Sequence, residues 1–315
     1  MKKKLFFIIM IAITITLSAK KYSGEIFKLG AGVRNLALGN IGVTDENNAN
    51  LAYWNPALLT KSKGMMIELM HSEEFSGLLK YDTAGITWGI ENRFSLWISR
   101  IGINDIPLTK LSDPTEELSD NNRPYEYKNV DNSDYIIYFG TTRSIFNGFP
   151  LGISAKVLYR SLAEETGYGF GIDLSTFHDF SNNYRLGIRA HDIFTTMIIW
   201  NDGENESVYP GVDFENRYAF IMPIISCNSF LYLNIETLFE KIDEAALISF
   251  GATSMDIHSG LEVNIKNLFS VYFGYDREYA TTGLSLSIKN WKMNYAFEYN
   301  SELENSHRVS LGYSL

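Results

Sequence analysis

The residues able to do chemistry are few and scattered. Five histidines, His71, His178, His191, His258 and His307, lie far apart, and no pair has metal-ligand spacing, so no metal site is expected. Gly30-Ala31-Gly32 begins like a dinucleotide loop, but the next glycine position is Asn35 and no strand precedes it, which argues against a cofactor. His258-Ser259 is the adjacent pair that a hydrolase built into a barrel would use, general base beside nucleophile, yet nothing marks a third group to orient the ring. The acidic runs Asp113 to Asp120 and Asn201 to Glu206 lack the spacing of a calcium loop and read as solvated connections. A lone Cys227 cannot form an internal disulfide. The expectation is a chain that is not an enzyme.

More informative is a set of charged residues that fall on one side of alternating segments: Lys156, Arg160, Arg185, Arg189, His191, Asp276, Lys292, Glu298 and Arg308. Such residues can fill a barrel bore by ion pairing or form a selectivity filter; pairing is the commoner use. Arg160, Arg185, Arg189, Lys292, Glu298 and Arg308 are therefore the candidate lumen-lining residues.

The segments that position them have a period of two. Trp291, Met293, Tyr295, Phe297 and Tyr299 share one face, and Lys292, Asn294, Ala296, Glu298 and Asn300 share the other. The same split recurs from Leu151 to Arg160, Phe269 to Asp276, Gly283 to Lys289, and Arg308 to the terminal Leu315. About 14 strands are expected in all, an even count suited to an outer-membrane barrel. Short turns at Glu91 to Asn92, Asn147-Gly148, Ser181 to Asn182, Ser226 to Asn228, Lys266-Asn267 and Lys289-Asn290 alternate with long polar connections. The long ones are Asn104 to Asn132, Ile193 to Phe214 and Phe239 to Met255. A sandwich has no reason to put every long loop on one side, whereas a bacterial barrel does. The expected class is an all-β, transmembrane, antiparallel up-and-down barrel. The apolar run Ile193 to Trp200 is expected to lengthen two strands into lipid or to dock a greasy partner.

The N-terminus supports export. Lys2, Lys3 and Lys4 precede an apolar stretch to Leu17 and small residues at Ser18 and Ala19, the layout of a signal peptide over 1–19. Its apolar core is too short to span a bilayer as a helix. Hydrophobic residues make up only 45% of the chain, while aromatics reach 14%, with 19 Tyr and 20 Phe, an excess that aromatic girdles would use. Loss of three leader lysines would take the net charge from −10 to −13, so nucleic acid is not an expected partner. Residues 20–63 have another texture, rich in Gly and Asn, with Asp45 as a candidate helix cap and Asn55-Pro56 as a break and restart. They are expected to plug the bore of a barrel formed by 64–315.

With these residues in place, the sequence resembles the PorV/PorQ-type proteins among the FadL-like outer-membrane barrels. The resemblance rests on GAGVRNLALGN from Gly30, AYWNPALL from Ala52, HSEEFSGLLKYDTAGI from His71, NDIPLT from Asn104, KVLYRSL from Lys156, GYGFGIDL from Gly167, HDIFTTMIIWNDGENESVYP from His191 and the terminal NSHRVSLGYSL. It implies a barrel with an N-terminal hatch, in which Asn55, Pro56 and Ala57 match the family's NPA element and, with Trp54, form the candidate binding residues. It further implies a non-enzymatic role in transport or type IX-type secretion, with exported cargo or secretion components as partners. The alternative is a FadL-like importer of a hydrophobic ligand, which predicts a continuous apolar pocket near Trp54. A barrel hydrolase comes third. Outer-membrane lipid is an expected partner, and both termini are expected in the periplasm.

Overall fold

The computed structural model describes residues 24–62, 64–88, 93–146, 149–223, 226–240, 246–266, 268–300 and 305–315. The expected signal peptide over 1–19, the expected turns at 91–92 and 147–148, and Asn267 of another lie outside these. Seventeen strands form one antiparallel sheet. They are β1 Met66–Glu74, β2 Leu79–Trp88, β3 Phe94–Leu111, β4 Pro124–Phe146, β5 Phe149–Leu162, β6 Glu165–Asp179, β7 Tyr184–His191, β8 Thr196–Trp200 and β9 Asn205–Val208. There follow β10 Gly211–Met222, β11 Cys227–Leu238, β12 Ile248–Phe250, β13 Thr253–Ile265, β14 Phe269–Asp276, β15 Tyr279–Ile288, β16 Trp291–Tyr299 and β17 Ser306–Ser314. Three of them, β8, β9 and β12, are short additions at the long-loop end; the remaining 14 close into a barrel. Closure is made by β17 on β1, from Met66 opposite Ser314 to Glu73 opposite His307, so no edge of the ring is left unpaired.

Alternation along each strand sorts the side chains as the sequence requires. On β5, Ser154, Lys156 and Leu158 are buried inside the ring, while Phe149, Ile153 and Val157 are exposed outside. On β17, Arg308 and Ser310 point in, and Val309 and Leu311 point out. The outer face is a broad apolar surface, of the kind that outer-membrane barrels turn to lipid. Aromatic pairs rim it at both ends. At the short-turn end these include Trp88 with Phe94, Phe180 with Tyr184, and Trp291 with Tyr313; at the other, Tyr135, Tyr159 and Tyr168. The stretch between Phe149 and Tyr159 spans roughly 25 Å along the barrel axis, allowing for strand tilt, which matches the apolar band of an outer-membrane barrel.

The structure corrects the three long connections. Asn104 to Asn132 is mostly strand: β3 and β4 stay paired out to Leu111 opposite Pro124, well past Lys80 of β2 and Leu162 of β5. The result is a two-stranded ribbon projecting roughly 25 Å from the wall, with register shifts between Ile103 and Ile106 and between Leu108 and Thr109. Ile193 to Phe214 contains the β8–β9 hairpin and the start of β10; β8 pairs with the outer half of β6, Met197 opposite Phe170, above the point where β7 leaves it. Phe239 to Met255 contains β12 and the start of β13. At the other end, the turn before β11 falls slightly earlier than Ser226 to Asn228, because Met222 already pairs with Cys227. Turns at Ser181 and at Lys289 to Asn290 stand where expected.

Inside the ring lie residues 24–62: a 3-10 turn at Glu25–Phe27, helix α1 Val33–Ala37, helix α2 Leu51–Trp54, and a second 3-10 turn at Pro56–Thr60. Nearly all of this hatch is buried. Its backbone passes so close to the wall that some positions must be glycine. Gly39 adopts φ 84°, and a Cβ there would lie 2.6 Å from the Tyr275 carbonyl oxygen.

Candidate functional site

The hatch is held by buried polar contacts, each linking a hatch group to an inward side chain of a different strand. The Arg34 guanidinium pairs with Asp45, reaches Glu262 of β13 at 2.5 Å, and donates to the Tyr232 hydroxyl at 3.2 Å. Burial opposes the charge on Arg34, but the carboxylates of Asp45 and Glu262 outweigh it and hold its pKa above the ordinary value. Asp45 is thus an ion-pair partner, correcting its expected role as a helix cap; its other oxygen accepts from the Asn47 amide. Glu215 of β10 accepts from the backbone amides of Gly42, Val43 and Thr44 at 3.0, 2.7 and 2.8 Å, and from the Thr44 hydroxyl at 2.5 Å. Three donors that no helix satisfies are thereby paired by one carboxylate.

Trp54, Asn55, Pro56 and Ala57 form the turn between α2 and the second 3-10 segment. Asn55 caps that segment, its Oδ1 accepting from the Ala57 amide at 3.0 Å, with Pro56 at the first helical position where a missing N–H costs nothing. Asn55 Nδ2 also donates to the carbonyls of Val43 and Thr176. Trp54 donates through Nε1 to the Ala31 carbonyl at 2.7 Å and is 2% exposed. Tyr53 packs edge-on against it, and burial pushes the Tyr53 phenol up to about 12, with its hydroxyl donating to the Phe27 carbonyl at 2.6 Å. This element therefore knits the hatch together, and the cavity that Trp54 borders has charged wall residues opposite the rings, so its lining is mixed where a continuous apolar pocket was expected.

The six inward candidates separate into groups. Arg308 binds Glu74 at 2.7 Å and Glu298 at 3.0 Å, joining β17, β1 and β16 at the closing seam. Arg185 binds Asp179 and Glu46, each at 2.5 Å. Arg160 reaches Asp134 at 3.1 Å and Glu206 at 3.5 Å, and lies over the Trp200 ring. Arg189 pairs with Asp213 at 2.7 Å and covers the rings of Tyr53 and Trp54. Lys292 is inward and half-buried, within electrostatic reach of Glu68 and Glu262. Five of the six are thus tied into ion pairs, and Arg189 borders a cavity.

That cavity, about 50 Å³, lies between the hatch and the wall toward the long-loop end. Phe27, Tyr53 and Trp54 bound it from the hatch; Tyr138, Lys156, Asp173, Arg189, His191, Asp213, Asn234, Glu236 and His258 bound it from the wall. Sequence spacing gave no sign that His191, Glu236 and His258 meet. Pairing register brings them together: Gly211 lies opposite both His191 and Leu238, and Asn234 lies opposite His258. A Cβ at Gly211 would sit 2.4 Å from the His191 ring, so glycine there leaves room for the imidazole to approach Glu236 at 3.6 Å. On its other side Glu236 faces His258 at 3.8 Å. His258 lies 2.9 Å from Asp276 and 3.2 Å from the Gly39 carbonyl, while Ser259 points to the opposite face of β13. The adjacent pair is therefore not a nucleophile and its base. Among the described residues, no group of three or more His, Cys, Asp or Glu has the geometry to hold a metal ion. Val208, Tyr209 and Leu238 also line the cavity, and β9 pairs only with β8 among the described residues.

No protein-family model matches the sequence, and no curated protein matches it. Solved structures do match over nearly the whole chain. The toluene transporter TbuX of Ralstonia pickettii aligns with a TM-score of 0.57 at 9% identity, covering 91% of this chain and 98% of its own. The Pseudomonas putida toluene transporter TodX gives 0.54 at 10% identity, with 90% and 96% covered. A FadL homologue of Pseudomonas aeruginosa gives 0.52 at 9% identity, with 90% and 98% covered. The chain thus shares the barrel fold of FadL-like outer-membrane proteins, from end to end and at very low sequence identity.

Proposed function

We infer that the chain is a non-enzymatic outer-membrane conduit through which small molecules with hydrophobic bodies pass, its hatch serving as the stopper. The observation that carries this is the cavity between hatch and wall, faced by the rings of Phe27, Tyr53, Trp54 and Tyr138. The likeness in fold to two toluene transporters supports the same reading. In the state described the path is closed, since Trp54 and Tyr53 are packed beneath the cavity. Passage therefore requires the hatch to shift. Exported leader, lipid-facing wall and periplasmic termini belong to the same proposal.

Amide hydrogen exchange on the barrel in detergent tests it. Saturating toluene should change exchange in residues 24–62 while the strand amides remain protected, because a ligand moves a two-state element only through differential contact with it. Identical hatch exchange with and without toluene would contradict the proposal.

A second reading, support of type IX-type secretion, is favoured by one feature, the projecting β3–β4 ribbon, which offers exported proteins an exposed docking arm. Removing residues 104–131 with a short turn in their place separates the two: loss of cargo export with unchanged toluene response supports secretion.

A further inference from the structure

The outward apolar residues of the run Ile193 to Trp200 belong neither to the hatch nor to the cavity. They lie where β6 changes partner. Gly167 to Phe170 of β6 pair with β8, and from Leu174 onward β6 pairs with β7. Between these, residues 171–173 have no strand beside them on that side among the described residues, and the turn 192–195 crosses the gap. It is tied to β6 by the Ile193 amide, which donates to the Ile172 carbonyl at 3.1 Å, and by the Asp192 amide, which donates to the Asp173 carboxylate at 2.9 Å. Asp192 and Thr195 adopt left-handed φ values of 55° and 59°, a conformation that few residues other than glycine take. The chain so bent carries Phe194 outward, where it is 76% exposed.

The result is a groove of about 460 Å³ on the outer wall. Tyr168, Phe170 and Ile172 of β6 bound it on one side, and Phe194, Met197 and Ile199 on the other, with the backbone of Gly169 and Gly171 between. Its lining side chains are apolar apart from the Tyr168 hydroxyl and Thr195, so nothing in it matches a charged or strongly polar ligand.

Depth decides among apolar occupants. Tyr168 packs on Tyr159 in the aromatic rim at the long-loop end. Phe170 and Ile172 follow it at roughly 7 and 13 Å along the strand. At a strand tilt of about 40° the groove descends roughly 10 Å, close to half of the apolar band of about 25 Å. It therefore begins at the membrane surface and ends near the bilayer midplane, the reach of one leaflet's hydrocarbon. A single toluene ring covers only part of that length, and a second barrel presents a convex wall to it.

We propose that the groove holds one acyl chain of an outer-leaflet lipid as a fixed part of the wall, its head level with Tyr168 and its methylenes along Phe170, Ile172, Phe194 and Met197. The chain covers the stretch of β6 that no strand covers. The inference rests on the outer face meeting lipid, and not on what the barrel conducts.

Native mass spectrometry of the intact barrel in detergent, titrated with dipalmitoyl phosphatidylethanolamine, tests it. The wild type should show one lipid adduct that forms at least roughly tenfold more tightly than any further one. Dihexanoyl phosphatidylethanolamine, with the same head and short chains, should bind at least roughly tenfold more weakly, because the contact is made by methylenes. Ile172→Trp, which fills the middle of the groove, should weaken the adduct by a similar factor, whereas Leu284→Trp, at an exposed position on the outer face of β15, should leave it unchanged. Adducts that accumulate without one preferred site, equal binding of the short-chain lipid, or wild-type binding by Ile172→Trp overturns the inference. So does displacement of the adduct by toluene, which makes the groove a substrate site, or a barrel dimer that excludes lipid, which makes it an interface between copies. If Ile172→Trp fails to form a heat-modifiable barrel, Phe194→Ala, which removes one wall of the groove, replaces it, and the wild-type preference for the long chain by itself still decides the matter.

Discussion

Arg34→Leu is expected to open the bore. The guanidinium is the common partner of Asp45 on the hatch and Glu262 on the wall, with Tyr232 beside them. Removing it leaves two buried carboxylates facing one another, a loss worth about 3–5 kcal/mol when one member of a buried ion network is deleted. The strand ladder does not pass through this contact, so the cost falls on docking of the hatch. Hatch-open states should then rise by roughly two to three powers of ten. In planar bilayers the wild type should conduct ions only rarely, whereas the variant should show frequent openings. Replacing all three charged groups, Arg34→Leu with Asp45→Leu and Glu262→Leu, should restore the closed state, since a buried triad exchanged for apolar side chains is often neutral or stabilising. Wild-type conductance in the single variant would show that the network does not hold the hatch.

Arg308→Leu is expected to do the opposite, weakening the wall without opening the bore. Arg308 sits at the closing seam, its Nε and Nη2 on Glu74 of β1 and its Nη1 on Glu298 of β16. Without it, the buried Glu74 and the part-buried Glu298, on the two strands flanking β17, are left unpaired where the sheet joins itself, at a cost toward the lower end of about 3–5 kcal/mol. Urea titration in lipid vesicles, read by heat-modifiable gel mobility, should show unfolding at clearly lower denaturant. The conductance of the protein that remains folded should match the wild type. A lower unfolding midpoint accompanied by open-pore currents would mean that seam and hatch are one cooperative unit.

These two networks show what could be read from the sequence. Period-two alternation placed Lys156, Arg189, Lys292 and Arg308 inside the barrel, because lipid outside and polar contacts inside impose opposite chemistry on successive residues. The glycine- and asparagine-rich texture of the N-terminal segment likewise marked a part of the chain that is not wall. Where the two faces are not opposed, the signal fails. On β8, Met197 and Ile199 face outward, but Ile198 and Trp200 on the inner face are also apolar and buried, so the run shows no alternation. The β3–β4 ribbon beyond Ile103 has water on both faces, and its residues read as loop for the opposite reason.

The cavity was hidden for a third reason. His191, Asp213, Asn234, Glu236 and His258 come from β7, β10, β11 and β13, and only inter-strand register decides which of their side chains meet. Spacing within one strand carries none of that information. The same holds for Glu215, whose value lies in three backbone amides of the hatch that sequence does not place. The NPA element was visible as a break at Pro56, but its use is internal: Asn55 ties the hatch to itself and to Thr176.

On the proposed function, a barrel closed to ions still passes small molecules with hydrophobic bodies. It is tested most directly by entry of labelled toluene into proteoliposomes, with ion leakage followed in the same vesicles. Entry should be faster than in protein-free vesicles and should saturate with concentration, with ion leakage at background. Toluene entry no faster than through lipid alone, or entry that rises in proportion to ion leakage as through an open pore, would contradict it.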